Sequence, residues 1–259
     1  MDHILPTGFV EATEKVLLAS GVASKRVIRW SHSPRMVALY EWFDWLLPGQ
    51  FEAFAYRKAF CEGQARMAIA AGAGQVLVLG AGYDMMAWRL ASEFPDVEFF
   101  EIDHPATAGL KAKGVAEIGQ PDNLTLISED LGERNLVEIM QSDTVWAQST
   151  QTVVIAEGLL MYLPSAAVKE LFRRCETVTG PNSRIAFTYI PTGVDGRPDA
   201  GRCTGFMLWS LKMRGEPWLW SIRPEELTSF LKELGWINAP DYPETNSKYG
   251  VERFGVAMK

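Results

Sequence analysis

Four short segments of this 259-residue chain place chemistry-bearing residues at the ends of apolar runs. Val76-Leu77-Val78-Leu79 leads into Gly80-Ala81-Gly82, where two glycines leave backbone N–H groups accessible to a ligand with no Cβ in the way. A dinucleotide fingerprint wants a third glycine three residues after Gly82. Met85 stands there instead, which disfavours close approach of a pyrophosphate. The turn suits a nucleoside that carries no phosphate. Asp103 lies 23 residues after Gly80, at the end of a second β-favouring run, where a carboxylate can accept both hydroxyls of a ribose. Glu101 is its rival, two residues deeper in the run, and Asp103 could also cap the helix that follows. Ser128-Glu129-Asp130-Leu131 ends a third run. There Asp130 can accept from the amino group of an adenine while the Leu131 backbone N–H reaches the ring edge, although the same acids would suit a solvated loop. Ala156-Glu157-Gly158 ends a fourth. Glu157 can hold an ammonium group, line an acceptor pocket or join a buried ion pair, because a buried acid demands a partner.

These residues need a scaffold that brings strand ends together. Residues 7–74 read as helical, with apolar residues at helix spacing and no lasting period-two alternation. Three helices are expected, at about 7–24, 34–47 and 52–72. The second is rich in aromatics (Tyr40, Trp42, Phe43, Trp45) and should pack against the rest of the chain. From Gln75 the texture becomes strand, glycine turn, helix. Asp84 can cap a helix on which Met86, Leu90 and Phe94 recur every four residues until Pro95. Val97 to Ile102 supplies the next strand, and Asp103-His104-Pro105 opens a helix with proline in its first turn, where a missing N–H costs nothing. Strands follow near 124–128, 152–156 and 184–189, and helices near 134–141 and 164–178. Such alternation implies a parallel sheet. After Ile190 the pattern lapses over 191–222, a length that suggests a functional insertion or lid. A helix from Arg223 to about Leu234 and two strands near 236–240 and 251–257 close the chain.

Composition narrows the class. A hydrophobic content of 47% can bury a large core, and one domain over 1–259 is expected, with a helical cap (1–74), a core (75–190), the insertion (191–222) and a C-terminal helix with strands (223–259). The net charge of -7 opposes broad binding to nucleic acid. Cys61, Cys175 and Cys203 form no C-x-x-C pair, so neither a disulfide framework nor a metal site is expected, and a reducing cytoplasm fits. Residues 1–15 lack a basic segment followed by an apolar run, and no stretch of about 18 apolar residues exists to span a bilayer.

Taken together, QVLVLGAGYDMMAWRL at 75–90, FFEIDHPAT at 99–107, SEDL at 128–131 and AEGLLMYLP at 156–164 resemble the leucine carboxyl methyltransferase family, over roughly 50–190. That family includes protein phosphatase carboxyl methyltransferases and bacterial enzymes acting on carboxyl groups of small metabolites. The resemblance implies an α/β, Rossmann-like class I methyltransferase, with a mostly parallel seven-stranded sheet closed by an antiparallel hairpin and added N-terminal helices. It also implies an S-adenosyl-L-methionine site built from Gly80, Ala81, Gly82, Asp103, Asp130, Leu131 and Glu157. The family's arginine for the cofactor carboxylate falls on Arg57, with Lys58 one step away and Arg66 nearby. Two departures stand out: Ser31-His32-Ser33-Pro34 replaces the usual Asp-Pro, and a family lysine further upstream is not matched uniquely, with Lys15, Lys25 and Arg26 all open to it.

A carboxylate acceptor is ionised at neutral pH and needs no general base, so no catalytic residue is assigned. Alignment of the two reactants alone can provide about 7 to 11 kcal/mol at best. A phenol or alcohol would need a base, for which His32, His104 and Tyr162 are candidates. For the acceptor pocket the residues singled out are Tyr162, Trp209 and Arg202, among the bulky groups Phe206, Met207, Trp218 and Trp220 of the insertion; these aromatics could equally be ordinary core over the sheet. Arg202, Lys212, Arg214 and Arg223 could attract an anionic acceptor. The favoured acceptor is a small metabolite. A protein C-terminus, a non-catalytic cofactor-binding protein and an NAD(P)-dependent oxidoreductase are the alternatives.

Overall fold

The computed structural model describes residues 4–44, 49–199, 201, 204–239 and 251–259. Arg202 lies outside them, and so do the side chains of Tyr40, Trp42, Phe43 and Trp45. The described elements are helices α1 (Phe9–Ala19), α2 (Lys25–Ser31), α3 (Pro34–Asp44) and α4 (Gln50–Ala70), then β1 (Gln75–Leu79), α5 (Met86–Glu93), β2 (Glu98–Asp103), α6 (Pro105–Ile118), β3 (Leu124–Ser128), α7 (Leu136–Ser142) and β4 (Thr152–Ala156). A short 3₁₀ turn (Leu160–Tyr162) follows, and then α8 (Ser165–Val178), β5 (Arg184–Tyr189), α9 (Thr204–Met213), α10 (Pro224–Glu233), β6 (Ile237–Asn238) and β7 (Arg253–Met258).

The strands form one seven-stranded sheet in the order β3-β2-β1-β4-β5-β7-β6. The pairs among β1 to β5 are parallel, whereas β7 runs antiparallel to both β5 and β6. β1 and β4 are buried along their whole length, as continuous apolar runs require in a sheet covered on both faces. The period of two divides the core: Leu77 and Leu79 join Phe100, Phe172, Phe187 and Trp236 on one face, while Val76 and Val78 join Leu90, Phe99 and Val153 on the other. The chain reverses direction across the sheet between β1 and β4, and the carboxyl ends of strands at such a switch form an open crevice.

Three regions depart from the sequence reading. The first expected helix, 7–24, ends at Ala19, and a separate α2 follows. Gly21 takes a left-handed φ of 74°, which stops α1, and the Ser24 hydroxyl accepts from the Val27 N–H at 3.3 Å to start α2. Within 191–222 the chain forms α9, which sequence periodicity missed because its apolar residues surround the whole helix and define no buried face. The first closing strand is also shorter than expected, only Ile237–Asn238.

Candidate active site

The sheet order makes β3, β2, β1 and β4 consecutive neighbours, so the ends carrying Asp130, Asp103, Gly80 and Glu157 lie side by side. Gly80 and Gly82 have φ of 66° and 53°, a left-handed backbone that bulky residues avoid, and a Cβ on Gly82 would meet nothing within 4 Å. The turn is tied to the next strand end, because the Gly82 N–H donates to Asp103 Oδ2. The Asp103 Oδ1 accepts from the His104 N–H at 2.6 Å. Capping of α6 falls to His104, whose Nδ1 accepts from the Ala106 N–H at 3.2 Å, ahead of Pro105. Each Asp103 oxygen keeps a lone pair for a further donor.

The rival Glu101 is fully buried, with its Oε2 2.5 Å from Lys111 Nζ. Burial pushes the Glu101 carboxyl above its usual value despite that lysine. Lys111 also donates to the Asp84 carbonyl, so this pair braces β2 against the glycine turn from below. Asp103, Glu101 and Lys111 line a small recess with Ala108, Leu126 and Ile127. At the end of β3, Asp130 Oδ1 accepts from the Gly132 N–H at 2.8 Å, and Asp130 Oδ2 lies 3.7 Å from His104 Nε2. Leu131 packs its side chain against the core, which fixes the backbone of this loop.

Across the crevice, α4 delivers two consecutive cations. Arg57 Nε donates to Glu157 Oε1 at 2.8 Å, and Arg57 Nη1 donates to Glu252. Lys58 Nζ lies 2.8 Å from the same Glu157 oxygen and donates to Asp84 Oδ2 at 2.5 Å. Arg57 lies directly over Gly158, where a Cβ would stand 3.6 Å from its Nη1. Phe54 lies beneath both cations, 5.3 Å from the Arg57 guanidinium and 5.4 Å from Lys58 Nζ. Burial pulls the Lys58 ammonium down, but Glu157 and Asp84 overcome this and hold it above its usual range. Burial would likewise raise Asp84, yet Lys58 and the Met86 N–H keep it below the usual aspartate value. Asp84 also caps α5 as expected, its Oδ1 accepting from the Met86 N–H at 2.6 Å. Arg66 is elsewhere, bonded to Glu62 and Glu93. Sequence reasoning treated Lys58 only as a possible slip of Arg57; the structure brings both to Glu157.

The acceptor-side residues are less concentrated. Tyr162 is exposed on the 3₁₀ turn just beyond β4. The insertion returns across that turn, with the Leu219 N–H donating to the Met161 carbonyl at 2.7 Å. Trp220 is core, 5% exposed and packed against Phe230, so for this residue the ordinary packing role holds. Phe206, Trp209 and Met213 are 63%, 59% and 69% exposed and share one stripe of α9. The Trp218 Nε1 donor is buried and has no acceptor among the described residues. Among the candidate bases, His32 is bonded to Glu14 on α1, and His104 caps α6. No group of His, Cys, Asp and Glu suited to a metal occurs among the described residues, and none of their helices is long and apolar enough to cross a membrane.

A largely parallel seven-stranded sheet closed by an antiparallel pair is the class I methyltransferase fold. Residues 13–176 match the leucine carboxyl methyltransferase family model, and the chain belongs to that family. Two proteins of Mycolicibacterium paratuberculosis named as candidate S-adenosyl-L-methionine-dependent methyltransferases are similar to it. One is 34% identical over 54% of this chain and 43% of its own length, the other 29% identical over 76% of this chain and 66% of its own. The matches thus span 43% to 66% of the length of these curated relatives. The crystal structure of a candidate methyltransferase from Thermobifida fusca superposes over 100% of this chain and 96% of its own with a TM-score of 0.62 at 18% identity, a likeness of fold.

Proposed function

We propose that this protein is an S-adenosyl-L-methionine-dependent O-methyltransferase that methylates a carboxylate of a small acceptor, working as one domain over 1–259. The observation that carries the reading is the convergence of Gly80, Asp103, Asp130 and Glu157 on four adjacent strand ends, facing two partly buried cations of α4. The residues fit this cofactor. Gly80, Ala81 and Gly82 line its amino acid side, Asp103 takes the ribose hydroxyls, and Asp130 with the Leu131 N–H takes the adenine. Glu157 takes the ammonium and Arg57 the carboxylate. Glu157 suits its part because both cations share its Oε1, leaving Oε2 for another donor.

When bound, the cofactor supplies a methyl group activated by its sulfonium. The chain then has to hold the acceptor in line and keep water away. No general base is required for a carboxylate. Tyr162 and, from the segment 191–222, Trp209, Arg202 and the Trp218 N–H would serve the acceptor. A dinucleotide reading is disfavoured because Met85, where the third glycine would be, is fully buried against Ala12, Val16 and Val115. Calorimetry with S-adenosylmethionine and NAD side by side tests the proposal, followed by a methyl-transfer screen of small carboxylic acids. Micromolar binding of the former alone and carboxylate-dependent turnover are expected. Preference for NAD would overturn the cofactor assignment, and turnover confined to phenols or to protein C-termini would overturn the acceptor assignment.

A further inference from the structure

The cofactor reading assigns one cation, Arg57, to the carboxylate of the methionyl group. Yet Arg57 is already divided between two acids, donating through Nε to Glu157 and through Nη1 to Glu252. The next residue supplies a second cation to the same place. Lys58 Nζ sits between Asp84, on the turn after β1, and Glu157, at the end of β4, at 2.5 and 2.8 Å. It therefore spans the two lips of the crevice at the switch point. These two contacts use two of its three N–H donors. Its ammonium lies over the rings of Phe9 and Phe54, whose centroids are 5.7 and 5.4 Å from Nζ. A lysine this enclosed has lost most of its rotamer freedom in advance, so engaging an anion adds little ordering cost.

We propose that Lys58 binds the carboxylate of the methionyl group directly, as the partner of Arg57, with its third N–H donor. This rests on the cofactor reading above. Glu157 stays the acceptor for the cofactor ammonium, since Lys58 and Arg57 both occupy its Oε1.

The test compares S-adenosylmethionine with its decarboxylated analogue, which keeps the sulfonium, nucleoside and amine and lacks only the carboxylate. By calorimetry, Lys58→Gln is expected to weaken S-adenosylmethionine at least tenfold and to change the analogue less than twofold, with Lys58→Arg restoring most of the loss. A parallel loss of both ligands would overturn the proposal and make Lys58 a brace for Glu157 and Asp84. No loss of either would overturn it as well. Asp103→Ala separates this from failure of the underlying reading. It should weaken both ligands alike, and if it weakens neither, the crevice is not the nucleoside site. Circular dichroism melting of each variant checks that the fold persists.

Discussion

The two sides of the crevice are built on opposite principles. On the candidate cofactor side every charged side chain already has a protein partner: Asp103 holds the glycine turn, Asp130 accepts from Gly132, Lys58 joins Asp84 to Glu157, and Arg57 bonds Glu157 and Glu252. On the acceptor side, α9 has no buried residue and presents Phe206, Trp209 and Met213 outward. The first is preorganised electrostatics, suited to a ligand whose charges never vary. The second is exposed apolar surface, with no side chain fixed by burial. The divide runs even through one segment, since Trp220 is core and Trp209, eleven residues earlier, is exposed.

That contrast can be broken or sharpened by substitution. The largest effect is expected from Trp220→Ala, which removes a buried indole packed on Phe230 and should cost about 3 to 5 kcal/mol of stability in chemical denaturation. A cost under about 1 kcal/mol would show that the insertion does not share the core. Next is Arg57→Met, which takes from Glu157 one of its two cations and from Glu252 the guanidinium donor. It should weaken S-adenosylmethionine binding about a hundredfold, or roughly 2.8 kcal/mol, in calorimetry. Asp103→Ala follows, with at least a tenfold loss, about 1.4 kcal/mol; unchanged affinity removes Asp103 from the site. Smallest is Trp209→Ala. Stability should move by less than about 0.5 kcal/mol and cofactor affinity by less than twofold, while the KM of a good acceptor rises several-fold. If instead cofactor affinity collapses, the two sides are one unit and the contrast fails.

Much of the crevice at the strand ends was legible in the residues. Buried parallel strands read as short apolar runs, and their carboxyl ends are marked by glycine and acids, so Gly80, Asp103, Asp130 and Glu157 could be placed from strand boundaries alone. The acceptor side was not, because α9 is apolar all round and carries no period to read, and α2 begins only after a left-handed glycine that looks like any other in one dimension. The role divided between Glu101 and Asp103 also needed coordinates. Two positions along the strand, on one face of the sheet, separate Glu101, paired with Lys111 in the interior, from Asp103 at the rim.

From sequence alone came the alternation of strand and helix, the glycine turn, the identity of the acids at each strand end and the family they compose. These are local matters, governed by side-chain period and backbone freedom over a few residues. Only tertiary structure decided that Arg57 and Lys58 both meet Glu157, a hundred residues away along the chain, and that Asp84 and Glu252 share them. Ion pairing in a buried crevice depends on which helix is laid across which strand ends, and that is set by packing of the whole core.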